Sequence, residues 1–365
     1  MKNDQYYMQL ALDLAASAKG KTNPNPLVGA VIVKDGSIVG TGLHRKAGEP
    51  HAEVHAFRMA GEHAKDATLY VTLEPCSHFG KTPPCANLVK QSGVKRVVVA
   101  MQDPNPSVAG RGINLLRDAG IEVEVGVLEQ QARRLNERFI HNMLTSRPFV
   151  ISKFAMTLDG KIATYSGHSQ WITGEEARGN VHELRNEVDA ILVGIGTVLK
   201  DNPALTTRLK ERTGKNPIRI VLDRELRTPL DAQIVQTDEA KTIVVTAEDQ
   251  QHKASAFENL GVELLYVPVI DSKLDLNAML DELYKRGITD ILVEGGGEVN
   301  ASFLRNGLIQ KFLVYVAPKV LGGRNSITPF TGDDVETIDA AMLLQFAEVD
   351  KIGEDLRITA YPKEG

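Results

Sequence analysis

The apolar positions of "MKNDQYYMQLALDLAASAKGK" recur at the spacing of one helical face, with Asp4 and Asp13 set among them. That pattern predicts an amphipathic helix and argues against a signal peptide, whose apolar region would not tolerate Asp13. Next, "LVGAVIVKDGSIVGTGLH" reads as two strands joined at Asp35-Gly36, a hairpin dipeptide. A helix is predicted from about Pro50, then a strand at "ATLYVTLE". Pro83-Pro84-Cys85 opens another helix, "CANLVKQSG", which Gly93 ends. "KRVVVAM" and "IEVEVGVL" are further strands, with the helix "GINLLRDAG" between them. The sum is a three-layer α/β/α unit complete by about residue 128. A single polar helix, "EQQARRLNERFIHNMLTS", then leads to Arg147-Pro148, so the domains are predicted as 1–146 and 147–365.

The second half restarts with "FVISKFAMTLDGKIA" and holds no cysteine. Its apolar, β-branched runs are "AILVGIG", "IRIVLD", "TIVVTA", "VELLYVPV", "DILVEGG" and "FLVYVAP". Helical stretches such as "LDLNAMLDELYKRG" alternate with them, which predicts a mostly parallel sheet covered on both faces. No short-period repeat or low-complexity tract interrupts this order.

A chain of 365 residues exceeds the size one core usually serves, which agrees with two domains. The 42% hydrophobic and 24% charged content is that of a soluble globular protein. A net charge of −5 argues against a nucleic-acid binder, which would carry a basic excess or stripe. No apolar run approaches membrane-spanning length. Two cysteines in so long a chain argue against a secreted disulfide framework, so a cytoplasmic location is expected, where thiols stay reduced and can bind metal.

Those two cysteines, Cys76 and Cys85, fall downstream of a His51-Ala52-Glu53 step. One imidazole and two thiolates form a set that zinc selects, and three protein ligands leave a fourth position for water. A zinc-bound water has its pKa lowered to about 7. Displacing ammonia from an amidine-like carbon also needs a proton carried to the ring and leaving group, the work of a carboxylate beside the metal such as Glu53. Zinc deaminases show H-x-E followed by P-C-x-x-C. Here Pro75-Cys76 is followed by the longer insert "SHFGKTPP", with His78 and Lys81, before Cys85 at a helix start that favours a thiolate. His55 follows His51 at helical spacing, but a metalloprotease pair needs Glu directly after the first histidine. A closed structural site, with His55 or His78 as fourth ligand, is the alternative.

In the second half, "ILVEGGGEVNASFL" and "AILVGIGTVL" place glycines between a strand and a helix, where backbone N–H groups approach a pyrophosphate. Neither is G-x-G-x-x-G, since Asn300 and Leu199 stand at the third glycine position, so a Rossmann dinucleotide domain is disfavoured.

At "PCSHFGKTPPC" the chain closely resembles the bifunctional deaminase/reductase family of riboflavin biosynthesis, and the likeness runs its whole length. It takes in "NPLVGAVIVKDG", "DPNPSVAGRG", "TLDGKIA", "SQWIT", "DNPALTTR" and "VEGGGEV". The resemblance implies a cytidine-deaminase-like N-terminal domain and a dihydrofolate-reductase-like C-terminal domain. It implies zinc-dependent loss of the 2-amino group from a diaminopyrimidinone bearing a phosphoribosylamino group, then NADPH-dependent reduction of the ribosyl group. By position, Asn25, His44, His78 and Lys81 would contact the first substrate, with Lys81 suited to phosphate.

On the reductase side the resemblance implies cofactor contacts from Ala155, Trp171, Thr173, Thr197, Asp201 and the turn Gly296, Gly297, Glu298, Val299, Asn300 and Ala301. Substrate contacts would come from Ser169, Arg185, Leu205, Arg208 and Glu294, the arginines suiting a ribose phosphate. Trp171 would lie beside the nicotinamide, its alternative being a core position. Lys153 and Asp201 are expected as the polar pair near C1′, with a structural ion pair as the other reading. Arg224, just after "IRIVLD", would read the 2′-phosphate or else be an exposed turn residue. Members of the family associate through their reductase domains, so a homo-oligomer is expected. Two other classes remain at this stage: a nucleic-acid base deaminase, which lacks stacking aromatics at 5% aromatic content, and a non-catalytic binder, which would not require Glu53 and the three ligands.

Overall fold

The computed structural model describes residues 3–77, 83–332 and 334–363. The chain divides into two compact units, Met1–Ser146 and Arg147–Gly365. The first contains α1 (Asp4–Ala16), β1 (Gly29–Lys34), β2 (Ser37–Leu43), α2 (Ala52–Ala60), β3 (Thr68–Leu73) and α3 (Cys85–Gln91). It continues with β4 (Arg96–Met101), α4 (Arg111–Asp118), β5 (Glu122–Val125), α5 (Glu129–Leu135) and α6 (Glu137–Thr145). The sheet order is β2-β1-β3-β4-β5, antiparallel at β2-β1-β3 and parallel at β3-β4-β5.

Alternation along the strands divides this core into two layers, because successive side chains leave a strand on opposite faces. Ala30, Ile32, Val71, Val97 and Val99 meet Ala52, Ala56 and Phe57 of α2, Val89 of α3 and Leu116 of α4. Val31, Val33, Tyr70, Val98 and Ala100 meet Tyr7, Met8, Ala11 and Leu12 of α1 and Ala132 of α5. The small residues of α2 let it lie unusually close to β2. A Cβ at Gly42 would stand 2.1 Å from the Ala52 carbonyl oxygen, so only glycine permits the approach that brings the start of α2 over the sheet.

The second unit contains β6 (Phe149–Thr157), α7 (Glu175–Glu187), β7 (Ala190–Gly194), α8 (Ile195–Asp201), β8 (Ile218–Leu222), α9 (Gln233–Gln236) and β9 (Thr242–Ala247). There follow α10 (Ala254–Glu258), β10 (Glu263–Val267), the short ribbon β11 (Val269–Ile270) and β12 (Lys273–Leu274), α11 (Leu276–Lys285) and β13 (Asp290–Val293). The unit closes with α12 (Gly297–Arg305), β14 (Lys311–Ala317), β15 (Leu344–Ile352) and β16 (Asp355–Pro362). Its sheet runs β10-β9-β8-β7-β13-β6-β14-β16-β15, parallel from β10 to β14 and antiparallel beyond.

Helix α11 shows why these helices form and stay. Asp275 caps it, accepting from the Asn277 and Ala278 N–H groups, and Leu276, Met279, Leu280 and Leu283 make one apolar stripe. The stripe packs on Ile243, Val245, Leu265 and Ile291 of the sheet, at about 1.5–3 kcal/mol per buried side chain. On the opposite face Val193, Val221 and Val244 meet Val198, Ile234 and Phe257.

Two expectations are corrected here. The polar helix before the domain boundary is two helices, because Asn136 turns inward between α5 and α6. Its amide accepts from the Leu27 N–H at 2.8 Å and donates to the Leu27 carbonyl at 2.9 Å. The second sheet is also covered on both faces only in its parallel part: β15 and β16 form an antiparallel hairpin, and Phe346 and Val349 of β15 are exposed.

Candidate functional site

In the first unit, His51 stands at the N-cap of α2 in an extended conformation, with no side-chain hydrogen bond to the helix. The imidazole is therefore free to face the loop after β3. His51 Nδ1 lies 3.2 Å from Cys85 Sγ and 3.6 Å from Cys76 Sγ. The Cys85 N–H donates to Cys76 Sγ at 3.3 Å. The three ligand atoms lie within 4.8 Å of one another, and among the described residues they are the group of histidine, cysteine and carboxylate side chains fit to hold an ion. A tetrahedral zinc with bonds of about 2.0–2.3 Å keeps its ligands roughly 3.3–3.8 Å apart, so the donor set fits that ion. His55 is not a member of the group, and His78 and Lys81 lie outside the described residues.

The electrostatics suit a cation. The hydrogen bond from Cys85, then those from His51 and the Cys85 N–H, hold the Cys76 thiol down at about 4 despite burial. The same hydrogen bond, burial and the Glu53 charge push Cys85 up, so the two sulfurs share one proton that a divalent ion would replace. Hydrogen bonding to Cys76 raises His51. Glu53, in the first turn of α2, is 3% exposed, and burial raises its carboxyl above the ordinary range.

Beside this set, the His44 and His51 rings meet edge to face at 5.6 Å. His44 is buried; Nδ1 lies 3.2 Å from the Pro50 carbonyl and Nε2 3.0 Å from Asn25 Nδ2. A carbonyl on one side and an amide donor on the other assign the proton to Nδ1. Burial keeps the ring neutral by lowering its pKa. His44 thus stands beside the ligand His51, and Asn25 beside His44.

One buried acid of this unit escaped the sequence reading. Glu74, directly before Pro75-Cys76, accepts from the N–H groups of Asp103, Gly110, Gly112 and Ile113 at 2.8–3.2 Å. It ties "DPNPSVAGRG" to the cysteine loop. A Cβ at Gly112 would stand 2.1 Å from the Pro75 carbonyl oxygen, which explains a glycine there. The available signal was a carboxylate ending an apolar strand, since a buried charge needs partners.

In the second unit the parallel register of β6 and β13 pairs Ser152 with Val293, and so carries Lys153 to Glu294. Lys153 Nζ is 3.4 Å from Glu294 Oε2. Arg185 of α7 donates through Nε and Nη2 to the two Glu294 oxygens, at 2.9 and 3.0 Å, and through Nη1 to the Thr206 carbonyl at 3.2 Å. Burial would raise the Glu294 carboxyl, but Arg185 and then Lys153 outweigh it and hold it at about 2. His182, one turn before Arg185, accepts the Arg208 N–H on Nδ1. Burial, then Arg185 and Arg208, push His182 down to about 4.

Glycines bring the two strand-to-helix turns together at the C-terminal ends of neighbouring β7 and β13, the edge at which open α/β sheets bind ligands. A Cβ at Gly194 would stand 2.7 Å, and one at Gly295 2.5 Å, from the Val299 side chain. Helix α12 begins at Gly297, and its N-cap Gly296 has no side chain to offer the first N–H groups. Glu298 is exposed on this helix, Ala301 is buried, and buried Asn300 donates to the Gly295 and Pro329 carbonyls. Thr197 is half-buried in the first turn of α8 and Asp201 is exposed at its end. The ion-pair partner of Lys153 is Glu294, not Asp201.

Trp171 is 62% exposed, which excludes the core position. Trp171 and Ser169 line a pocket of about 290 Å³. Thr173 is buried, and its carbonyl accepts from Arg178. Ala155 of β6 packs against Ala177, Val181 and Tyr315. Leu205 is buried at φ 53°, and the Arg208 side chain is exposed. Arg224 is half-buried after β8 and donates to the Ser272 carbonyl at 3.2 Å.

Both units match known families. Residues 1–101 match the cytidine and deoxycytidylate deaminase zinc-binding region, and residues 148–358 match the RibD C-terminal domain. The chain is 49% identical over 356 residues to the riboflavin biosynthesis protein RibD of Aquifex aeolicus, covering 97% of each chain. It is 44% identical to the Escherichia coli protein of that name over 365 residues, covering 97% of this chain and 98% of the other. Acinetobacter baumannii RibD superposes with a TM-score of 0.87 at 42% identity, covering 99% of each chain. A deaminase/reductase from Thermotoga maritima, titled diaminohydroxyphosphoribosylaminopyrimidine deaminase/5-amino-6-(5-phosphoribosylamino)uracil reductase, does so with a TM-score of 0.86 at 40% identity and the same coverage. Among the described residues no helix is long and apolar enough to cross a membrane. The chain belongs to the RibD family, the riboflavin-biosynthesis enzymes that join a zinc-dependent deaminase domain to a reductase domain.

Proposed function

We propose that the first unit hydrolyses the 2-amino group from 2,5-diamino-6-(5-phosphoribosylamino)pyrimidin-4(3H)-one, and that the second reduces the ribosyl group of the resulting 5-amino-6-(5-phosphoribosylamino)uracil to ribityl with NADPH. The observation that carries this reading is one imidazole and two sulfurs within reach of a single ion, with a buried carboxylate two residues from the imidazole. His51, Cys76 and Cys85 would hold zinc, which supplies Lewis acidity and a water of lowered pKa. Glu53, whose carboxyl burial raises above its ordinary value, takes up a proton more readily than an exposed glutamate. It carries one proton from the water to the ring nitrogen as the oxygen bonds to C2, then the proton of the new C2 hydroxyl to the amine, so that the C–N bond breaks, ammonia leaves and C=O forms. Neutral His44, fixed by Pro50 and Asn25, orients the pyrimidine ring, while Lys81 and His78 would meet the phosphoribosyl group.

In the reductase, NADPH supplies the hydride. Lys153 holds a proton beside the substrate nitrogen, so hydride at C1′ and proton at nitrogen together turn C=N into CH–NH. Arg185 and Glu294 fix the lysine, and Arg208 meets the ribose phosphate. Arg224 would read the 2′-phosphate; a preference for NADH over NADPH removes that role. The apolar row on edge strand β15, with Phe346 69% exposed, supports self-association through the second unit. Phe346→Glu is expected to lower the solution mass measured by light scattering. The reduced thiols suit the cytoplasm. Ammonia release from the diaminopyrimidine, then loss of NADPH absorbance that depends on that first step, tests the whole reading; ammonia without subsequent NADPH oxidation overturns its second half.

A further inference from the structure

The segment that follows β14 is fastened at both ends to the loop that follows β6. At one end the Asp159 carboxylate accepts from Thr157 Oγ1 at 2.6 Å, from the Leu321 N–H at 3.0 Å and from the Gly322 N–H at 2.7 Å. At the other, the Lys319 ammonium donates to the Trp171 carbonyl at 2.8 Å and the Ile172 carbonyl at 2.7 Å. The Leu158 N–H donates to the Lys319 carbonyl at 2.8 Å between them. Thr157, Trp171, Ile172, Lys319 and Leu321 all line the 290 Å³ pocket, so these bonds tie together residues of its lining from two segments of the chain. The Arg178 guanidinium lies 4.6 Å from the Trp171 ring centroid and holds the Thr173 carbonyl. The ring nonetheless stays 62% exposed, which leaves surface for a second flat group.

We propose that Lys319 and Asp159 are positioning residues of the reductase, fastening the 319–322 segment to the Trp171 loop so that the indole is held as a stacking surface for the nicotinamide ring. This rests on the reading that Trp171 lies on the cofactor side of the site. Neither residue needs to touch the cofactor. A carboxylate that accepts three hydrogen bonds at a turn, and an ammonium that bridges two successive carbonyls, each fix backbone that aliphatic side chains would leave loose.

Trp171 is the single tryptophan of the chain, so fluorescence excited at the red edge of the band, beyond tyrosine absorption, reports on it alone. In the full-length protein, Lys319→Met and Asp159→Asn are expected to lower Trp171 anisotropy without NADPH, and to raise the KM for NADPH about tenfold, the worth of one or two lost hydrogen bonds. Lys319→Arg, which can donate to both carbonyls, is expected to restore both. Ammonia release should stay unchanged in all three, which separates local loosening from misfolding. If NADPH leaves wild-type Trp171 emission unaltered while being oxidised, the cofactor-side reading falls and this proposal with it. If wild-type emission responds but Lys319→Met alters neither anisotropy nor KM, the fastening role is wrong and the cofactor-side reading stands.

Discussion

Glu53 gains its chemistry from where it is kept. In water a glutamate would be fully ionised at neutral pH and a poor proton donor; burial raises the Glu53 carboxyl above its ordinary value and makes it a better donor. Glu53→Ala is expected to keep one zinc per chain by metal analysis while ammonia release falls by about 10²–10⁴-fold. Near-normal turnover in that variant removes the proton-carrying role. Lys153→Ala should abolish NADPH oxidation and leave ammonia release intact, and loss of both would indicate misfolding instead. The His51–Cys76–Cys85 group was legible because its members sit in two short motifs of metal-ligand type. The Lys153–Glu294–Arg185 contact was not, since strand register joins positions 141 residues apart in the chain. Lys153 and Asp201 were named from the sequence as the polar pair near C1′; the carboxylate in contact with Lys153 is Glu294.

Helices and strands with strong periodic patterns were read correctly from the chain, the stripe of α11 and the β-branched run of β9 among them. What periodicity missed was decided by single side chains or by edges. The amphipathic pattern continues through Asn136, and only the tertiary pull of the Leu27 backbone breaks α5 from α6. Asn136→Ala leaves one buried donor and one acceptor without partners, so it is expected to cost the first unit about 2–4 kcal/mol in denaturant unfolding. A change within about 0.5 kcal/mol would mean that solvent takes over both groups. The β15–β16 hairpin escaped because β15 mixes apolar and charged side chains on exposed faces, so no burial period marks it.

Acid should loosen the second unit through two groups acting in the same direction. Glu294 folds with its pKa at about 2, below its ordinary 4.5, so its stabilising contribution is complete above 4.5 and is lost as pH falls toward 2. His182 folds at about 4, below 6.5, so the unfolded chain takes up the proton first and stability drops as pH falls from 6.5 to 4. The melting temperature of that unit is expected to decline from pH 6.5 downward, and His182→Gln should flatten the upper part of the decline. A profile level down to pH 4 would show that His182 titrates normally.

The register that builds the reductase centre also sets an order of assembly. Strand β6 is the first of the second unit to leave the ribosome, yet its neighbours β13 and β14 begin at Asp290 and Lys311, and β14 then waits for β16. The β1–β2 hairpin of the first unit, by contrast, closes within fifteen residues, Gly29 to Leu43. Long-range parallel pairing is slow, so the apolar "FVISKFAM" stretch stays unpartnered until nearly all of the chain has emerged. Deamination should accordingly recover well before reduction on refolding, and nascent chains stalled short of β14 should depend on chaperones to shield that one strand.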